Sequence, residues 1–514
     1  MNTPPPEESG LIYWWEDRRF VVAMILLSMV PLLYPPIPPL VDLLGHMGRY
    51  RVALDLANSP ELQRYWDFRW GLMGNLGVDL LIVPMAKLFG LEFGVKLIVM
   101  AIPPLTVGGF LWVAREVHHR IPPTALFALP FVYGNPFLFG FVNFSLSMAF
   151  VFLAFGLWLR LGRLGRTGLR LALFVPISFV VFITHAFDWG VLGLLCFSAE
   201  AVRQHDLGRK WWQAGIHAAG HAASLALPLL MLILWRQESA GGVNADMFNW
   251  KAKQSFINQA LRDRWRLFDV ASLVVCAIVV GAALFLRRLG FSRNLAFSAL
   301  VLILIYILLP RIVFGSSYAD MRLVPFIMAV ILLGIRFRGP THLPTARVLA
   351  AIGLAFVLVR LGSNGISLAI AADDQRAKLV ALDHVPTGAR VLSFVGSSCG
   401  SDWAQFRNSH LGSLVIVRRM GFSNDQWRLP GAQLLTLREP HRWGRFGTDP
   451  SEQVNPDECG SWEHWAINKS LVRFPRDQFD YVWLIDPPTY NPALVTDLTE
   501  VWRGGNSVLY RVRQ

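Results

Sequence analysis

WGLMGNLGVDLLIVPMAKLFG, residues 70–90, decides how this chain is threaded. Its apolar run falls short of the ~20 residues that cross a bilayer comfortably. Asp79, Pro84 and Lys87 also interrupt it. The stretch 71–92 is therefore expected to lie along the interface, or to re-enter it, without crossing. If it crossed, every later connection would change sides.

The rest of the chain sets the context. It has 514 residues, 54% hydrophobic and 16% charged, with a mean hydropathy of +0.42. That is too apolar for an ordinary soluble domain and reads as a polytopic α-helical membrane protein. About eleven spans are expected, near 20–34, 94–114, 122–133, 141–160, 170–186, 188–202, 212–235, 268–286, 294–310, 321–335 and 345–363. The net charge of +13 does not indicate nucleic acid, because most arginines sit in short loops between apolar runs. Those loops are Arg115 to Arg120, RLGRLGRTGLR (160–170), RQHDLGRK (203–210), RRLGFSR (287–293) and RFRGPTHLPTAR (336–347). Positive charge in short loops marks the cytoplasmic side. Segments 35–93, 134–140, 184–189, 236–266, 311–320 and everything after 364 then lie outside. Glu7, Glu8, Glu16 and Asp17 precede the first apolar run and no small-residue cleavage site follows it, so that run is expected to stay as an uncleaved helix.

The expected organisation is a cytoplasmic N-terminus (1–19), a transmembrane domain (20–363) with outer loops 35–93 and 236–266, and an extracytoplasmic α/β domain (374–514). In that last region the apolar runs shorten to strand length: ARVLSFVG (389–396), SLVIVRR (413–419), YVWLID (481–486) and SVLYRV (507–512). Cys399 and Cys459 fall there, in an oxidising compartment on this topology, and are expected to pair. Cys196 and Cys276 lie in apolar spans and read as inert core residues.

Polar outliers gather toward the outer side. YPPIPPLVDLLGHMGRY (34–50) places Asp42, His46 and Arg49 at i, i+4 and i+7, one face of a helix. Asp55, Asp67, Arg69 and Asp79 follow. Asn143 opens a span, His185 and Asp188 lie between two spans, and Asp320 and Arg322 enter another. Ionisable groups at a membrane are costly and point to function. Each also has a structural reading: a solvated helix end, a helix breaker, a cap, or an ion pair at a helix start. His217 and His221 have metal-ligand spacing without a nearby carboxylate in sequence, so no metal site is assigned to them. The chain contains no phosphate-binding glycine loop, HExxH, GxSxG or CxxC.

PPLVDLLGHMGRY (38–50), RWGLMGNLGVDLL (69–81), GFVNFSLSMAFVFLAFGLWLR (140–160), THAFDW (184–189) and SSYADMRLVP (316–325) resemble landmarks of the GT-C class of integral membrane glycosyltransferases, in particular bacterial members acting on surface glycans. The resemblance covers most of the membrane part. It implies a plasma-membrane (bacterial inner-membrane) enzyme that takes sugar from a polyprenyl-phosphate-linked donor to a glycan, lipid or protein acceptor among membrane lipids. It also implies a catalytic carboxylate in the first outer loop, a place that Asp42 matches. On this reading Asp42 is the general base of an inverting transfer. Arg49 and Arg322 bind phosphate, His46 and His185 orient sugar or acceptor, and Asp79, Asn143 and Asp320 are further substrate-side residues. No cofactor is assigned, and a divalent metal is compatible, though no tight ligand cluster demands one. Two rival readings are a surface-glycan polymerase or ligase using a diphosphate-linked donor, for which the arginines of loop 236–266 speak, and a lipid or glycan transporter. A transporter should place its polar residues at mid-membrane depth.

Overall fold

The computed structural model describes residues 12–238, 244–313, 316–400, 402–428 and 433–513. They form two compact units. One comprises residues up to Tyr34, Leu72–Val78 and Leu97–Ile366. The other comprises Pro35–Gly71, Asp79–Lys96 and Ser367–Gln514.

The first unit is helical. Leu91–His118, Val142–Arg163, Thr167–Thr184, Arg266–Phe285 and Leu343–His384 are each long and apolar enough to cross a membrane. Trp211–Leu225 and Pro228–Leu234, bent by 64°, make a sixth if taken together. The protein is therefore a multi-pass membrane protein, with five or six such spans among the described residues where about eleven are expected from hydropathy. The difference has local causes. Residues 123–133 form a 3₁₀ helix, wholly buried, with prolines at 122, 123 and 130. Proline removes donors and disfavours a regular α-helix. Ala319–Leu333 is almost entirely buried, and its fifteen residues reach only about 22 Å at ~1.5 Å each, short of a ~30 Å hydrocarbon core. The first apolar run becomes a ten-residue helix, Arg18–Leu27, followed by a 3₁₀ turn containing Pro31. Within 71–92, Gly77–Phe89 is a thirteen-residue helix, about 20 Å long. It ends at Gly90, whose φ of +77° suits a residue without Cβ.

Two buried ion pairs lie within the helical unit. Arg170 meets Glu200 at 2.9 Å and Arg360 meets Asp269 at 2.7 Å, with every partner about 1% exposed. Close backbone approach fixes one further feature. The Gly74 backbone carbonyl accepts from Ala186 N at 2.8 Å, and Leu76 N donates to Ile183 O at 2.8 Å. A Cβ on Gly74 would lie 2.4 Å from the Ala186 Cβ, and one on Gly77 would lie 2.5 Å from the Thr184 methyl.

The second unit is built on a mixed sheet with strands in the order Phe422–Ser423, Arg390–Gly396, Tyr481–Ile485, Ser507–Val512, Leu498–Gly504; Gln453–Val454 also pairs with Arg390–Gly396. The first three strands are mutually parallel, and Ser507–Val512 runs antiparallel to both of its neighbours. Three of the four runs expected as strands form them. The fourth, 413–419, is instead a helix, Leu414–Arg419, with Leu414 to Val417 all buried. A short apolar run carries no period that separates strand from helix. This one packs on the helix Leu43–Asp55, where a Cβ on Gly48 would sit 3.3 Å from Ile416 Cδ1.

Residues 35–71 and 79–93, expected as an outer loop of the membrane domain, belong to this second unit. Trp66–Phe68 pairs antiparallel with Leu435–Leu437. Trp66 stacks on Phe422, which also stacks on Trp443 at 4.0 Å. Cys399 and Cys459 are disulfide-bonded with Cα atoms 5.3 Å apart, while Cys196 and Cys276 are buried thiols.

Gly74→Val should strain the contact with Ala186 and destabilise the protein by about 1–3 kcal/mol. A lower melting temperature in detergent is the expected result, and an unchanged one would show that this backbone approach is not tight.

Candidate functional site

In the second unit the helix Leu43–Asp55 starts directly after Asp42. The Asp42 side chain makes no cap bond to that helix. Its carboxylate faces a histidine instead: His410 Nε2 lies 3.9 Å from Asp42 Oδ1, with the two side chains 3% and 14% exposed. His410 Nδ1 lies 2.9 Å from the Asp425 backbone carbonyl. A carbonyl can only accept, so Nδ1 carries a proton and Nε2 is the ring nitrogen turned to Asp42. The Trp427 indole sits between two imidazoles, 4.4 Å from His410 and 5.0 Å from His46 by ring centroids. His46 is buried, and burial first, then the charges of Arg49 and His410, hold its pKa well below the usual 6.5.

A buried polar turn holds this arrangement. Asn424 Oδ1 accepts from Ser393 N at 2.8 Å. Asp425 Oδ1 accepts from the hydroxyls of Ser413 and Ser423, both at 2.8 Å. Gln426 Nε2 donates to Gly45 O at 3.0 Å and to Ser413 Oγ at 2.7 Å. Gly45 and Gly48 make the approach possible, since a Cβ there would lie 2.6 Å from Trp427 or 2.7 Å from Gln426. Asp449 and Glu452 lie on the same side as His410. Burial, and then the Asp449 and Asp425 carboxylates, push the Glu452 carboxyl well above the usual range, and burial likewise raises Asp425.

Arg49 and Asp79 bind each other. Arg49 Nη2 lies 2.8 and 2.9 Å from the two Asp79 oxygens, and Nη1 donates to Gln433 Oε1 at 2.7 Å. Both side chains are 5% exposed or less. A guanidinium whose fork is occupied in this way positions its neighbours, so the structure does not offer Arg49 as a phosphate clamp or Asp79 as a second open acid.

In the first unit the expected residues divide. Asn143 is a backbone clamp, accepting from Val78 N at 2.6 Å and donating to Asn75 O at 2.9 Å. Asp320 is buried, accepts from Met321 N at 3.0 Å, and lies 3.7 Å from Lys253 Nζ. Lys253 in turn donates to the carbonyls of Tyr306 and Leu309 at 2.7 Å each. Asp320 thus anchors the helix Trp250–Asn258. That helix lies in the 236–266 loop, whose expected hinge, Gly241–Gly242, lies outside the described residues. His185 Nδ1 lies 3.0 Å from the fully buried Asp188, and Arg322 is the cation acting on both. Arg322 also donates to Ser317 O at 2.8 Å and covers the Phe141 ring at 4.3 Å. His221 does have a carboxylate near it, Glu200 at 3.7 Å, but Arg170 and Arg203 already engage that carboxylate.

Sequence reading missed His410, Asp425, Gln426, Trp427, Asp449 and Glu452. Their signal is polar clustering in SNDQW (423–427) and DPSE (449–452), inside a region read only for its strands.

No family model matches the chain, and no curated protein matches it. Among solved structures it is similar to the crystal structure of ArnT from Cupriavidus metallidurans bound to undecaprenyl phosphate. The identity is 11% and the TM-score 0.47, over 96% of this chain and 97% of that one.

Removing one partner of the Arg49–Asp79 pair leaves a buried charge uncompensated. Asp79→Leu should cost about 3–5 kcal/mol, and the double variant Arg49→Met/Asp79→Leu should recover most of it. Equal losses in the single and double variants, by melting, would contradict this pairing. His46 makes stability depend on pH. Its folded pKa lies below the unfolded 6.5, so below that pH the unfolded chain takes up a proton that the folded chain refuses. Stability is therefore lost as pH falls from 6.5, by up to about 1.4 kcal/mol per pH unit. His46→Gln should flatten the dependence of melting temperature on pH in that window, and an identical slope would assign the effect elsewhere.

Proposed function

We propose that this protein is an integral membrane glycosyltransferase of the GT-C class. On this reading it takes sugar from a polyprenyl-phosphate-linked donor, inverts the anomeric centre, and delivers the sugar to a glycan, lipid or protein acceptor at the outer face of the bacterial plasma membrane. One observation carries most weight. Of the two acids Asp42 and Asp79, Asp79 is locked to Arg49. Asp42 makes no cap bond, is 14% exposed and stands beside an imidazole. It is the carboxylate that an acceptor hydroxyl can reach.

In the proposed step the acceptor O–H gives its proton to Asp42. The oxygen lone pair bonds to the anomeric carbon from the face opposite the leaving group. The bond from that carbon to the phosphate oxygen breaks, and its electrons leave on the polyprenyl phosphate. His410 stands beside Asp42, with Nε2 3.9 Å from Oδ1. Well-placed general base catalysis contributes about 10²–10⁴-fold.

Purified protein in nanodiscs, given polyprenyl-phosphate-linked sugars and cell-envelope acceptors, should release polyprenyl phosphate and form a product of inverted anomeric configuration by NMR. Asp42→Asn should keep the melting temperature and lose at least about 10²-fold in kcat. Full activity in that variant removes Asp42 as the base. Product of retained configuration removes the single-displacement mechanism.

A further inference from the structure

We infer that His410, Asp449 and Glu452 form a binding site for a divalent transition cation, Mn2+ or Zn2+, in the C-terminal part of the second unit. Each contributes one ligand atom, and these atoms lie within 4.8 Å of one another. Three ligands ~2.0–2.2 Å from a shared cation stand about 3.4–3.6 Å apart in tetrahedral or trigonal geometry, so closing on an ion takes side-chain movements of up to about 1 Å. His410 and Glu452 are buried.

The atoms around the cluster also point to a cation. Asp425 Oδ2 is buried with no hydrogen-bond partner among the described residues, and Glu452 Oε2, equally buried, meets no N–H donor, only the Asp449 carboxyl side chain. Both side chains are fully enclosed. Buried carboxylate oxygens are costly without a donor or a cation. Here the Asp449 and Asp425 carboxylates act electrostatically on Glu452, and the His410 imidazole offers a nitrogen that suits a borderline ion better than Ca2+.

The ligands are already held in place. The Asp425 carbonyl, 2.9 Å from His410 Nδ1, leaves Nε2 to ligate, which is the usual outer-shell arrangement of a metal-binding histidine. Asp449 N donates to Gln426 O at 3.0 Å, and Val395 N donates to Glu452 O at 2.6 Å. These bonds tie both acid-bearing segments to the core of the unit. His410 is also the neighbour of Asp42, so a cation there would fix the imidazole that faces that carboxylate. The cation site itself stands on its own donor atoms and does not depend on the transfer reaction.

The test uses tag-free, full-length protein stripped with EDTA and reloaded with Mn2+ or Zn2+. Elemental analysis and Mn2+ EPR titration should find one equivalent bound per chain, with a higher melting temperature in its presence. Glu452→Gln and, separately, Asp449→Asn should weaken binding at least about tenfold, the effect of losing 1.4 kcal/mol of ligand energy. Each variant is checked for folding by its metal-free melting temperature, so that one folded variant suffices. Two results would overturn the site. In one, the folded wild-type protein binds neither ion stoichiometrically, and the carboxyls then share protons. In the other, binding is unchanged in a folded ligand variant.

Discussion

A single buried carboxamide organises the chemistry of the second unit. Gln426 Nε2 bonds at once to the Gly45 carbonyl and to the Ser413 hydroxyl. It thereby seats the helix Leu43–Asp55 against the turn that follows Phe422–Ser423. The position of Asp42, the enclosure of His46 and the meeting of Asp42 with His410 all depend on that seating. Two helical glycines make it sterically possible, because a methyl group at residue 45 or 48 would overlap Trp427 or Gln426. Glycine inside a helix costs about 1 kcal/mol relative to alanine. At these two positions that cost is offset by contacts no larger residue allows.

Three buried ion pairs recur across the two units. Arg49 with Asp79, Arg170 with Glu200 and Arg360 with Asp269 are ion pairs nearly closed to solvent. In a medium of low dielectric an unpaired charge costs several kcal/mol, so a long apolar chain keeps its charges in couples. Asp42 differs from these in being 14% exposed, beside the His410 imidazole.

Much of the architecture was legible in the sequence because it rests on local pattern. Long apolar runs announced the membrane helices, and alternating short runs announced three strands. Asp79, Pro84 and Lys87 fall in the short helix Gly77–Phe89. The helical face carrying Asp42, His46 and Arg49 followed from spacing alone. What could not be read depended on distant partners. Nothing near Arg49 says that Asp79 neutralises it, nothing near Asn143 says that it clamps Asn75 and Val78, and nothing near Asp320 says that Lys253 claims it. The run 413–419 became a helix because of what it packs on. His410 and Glu452 gain meaning only when the sheet brings residues forty positions apart together.

The central claim is that Asp42 takes the acceptor proton, and chemical rescue tests it most directly. In Asp42→Ala the proton acceptor is gone while the space it occupied is open to a small anion. Added formate should restore a measurable part of the transfer rate in this variant and leave the wild-type rate unchanged. Wild-type activity in Asp42→Ala without any additive would contradict the account.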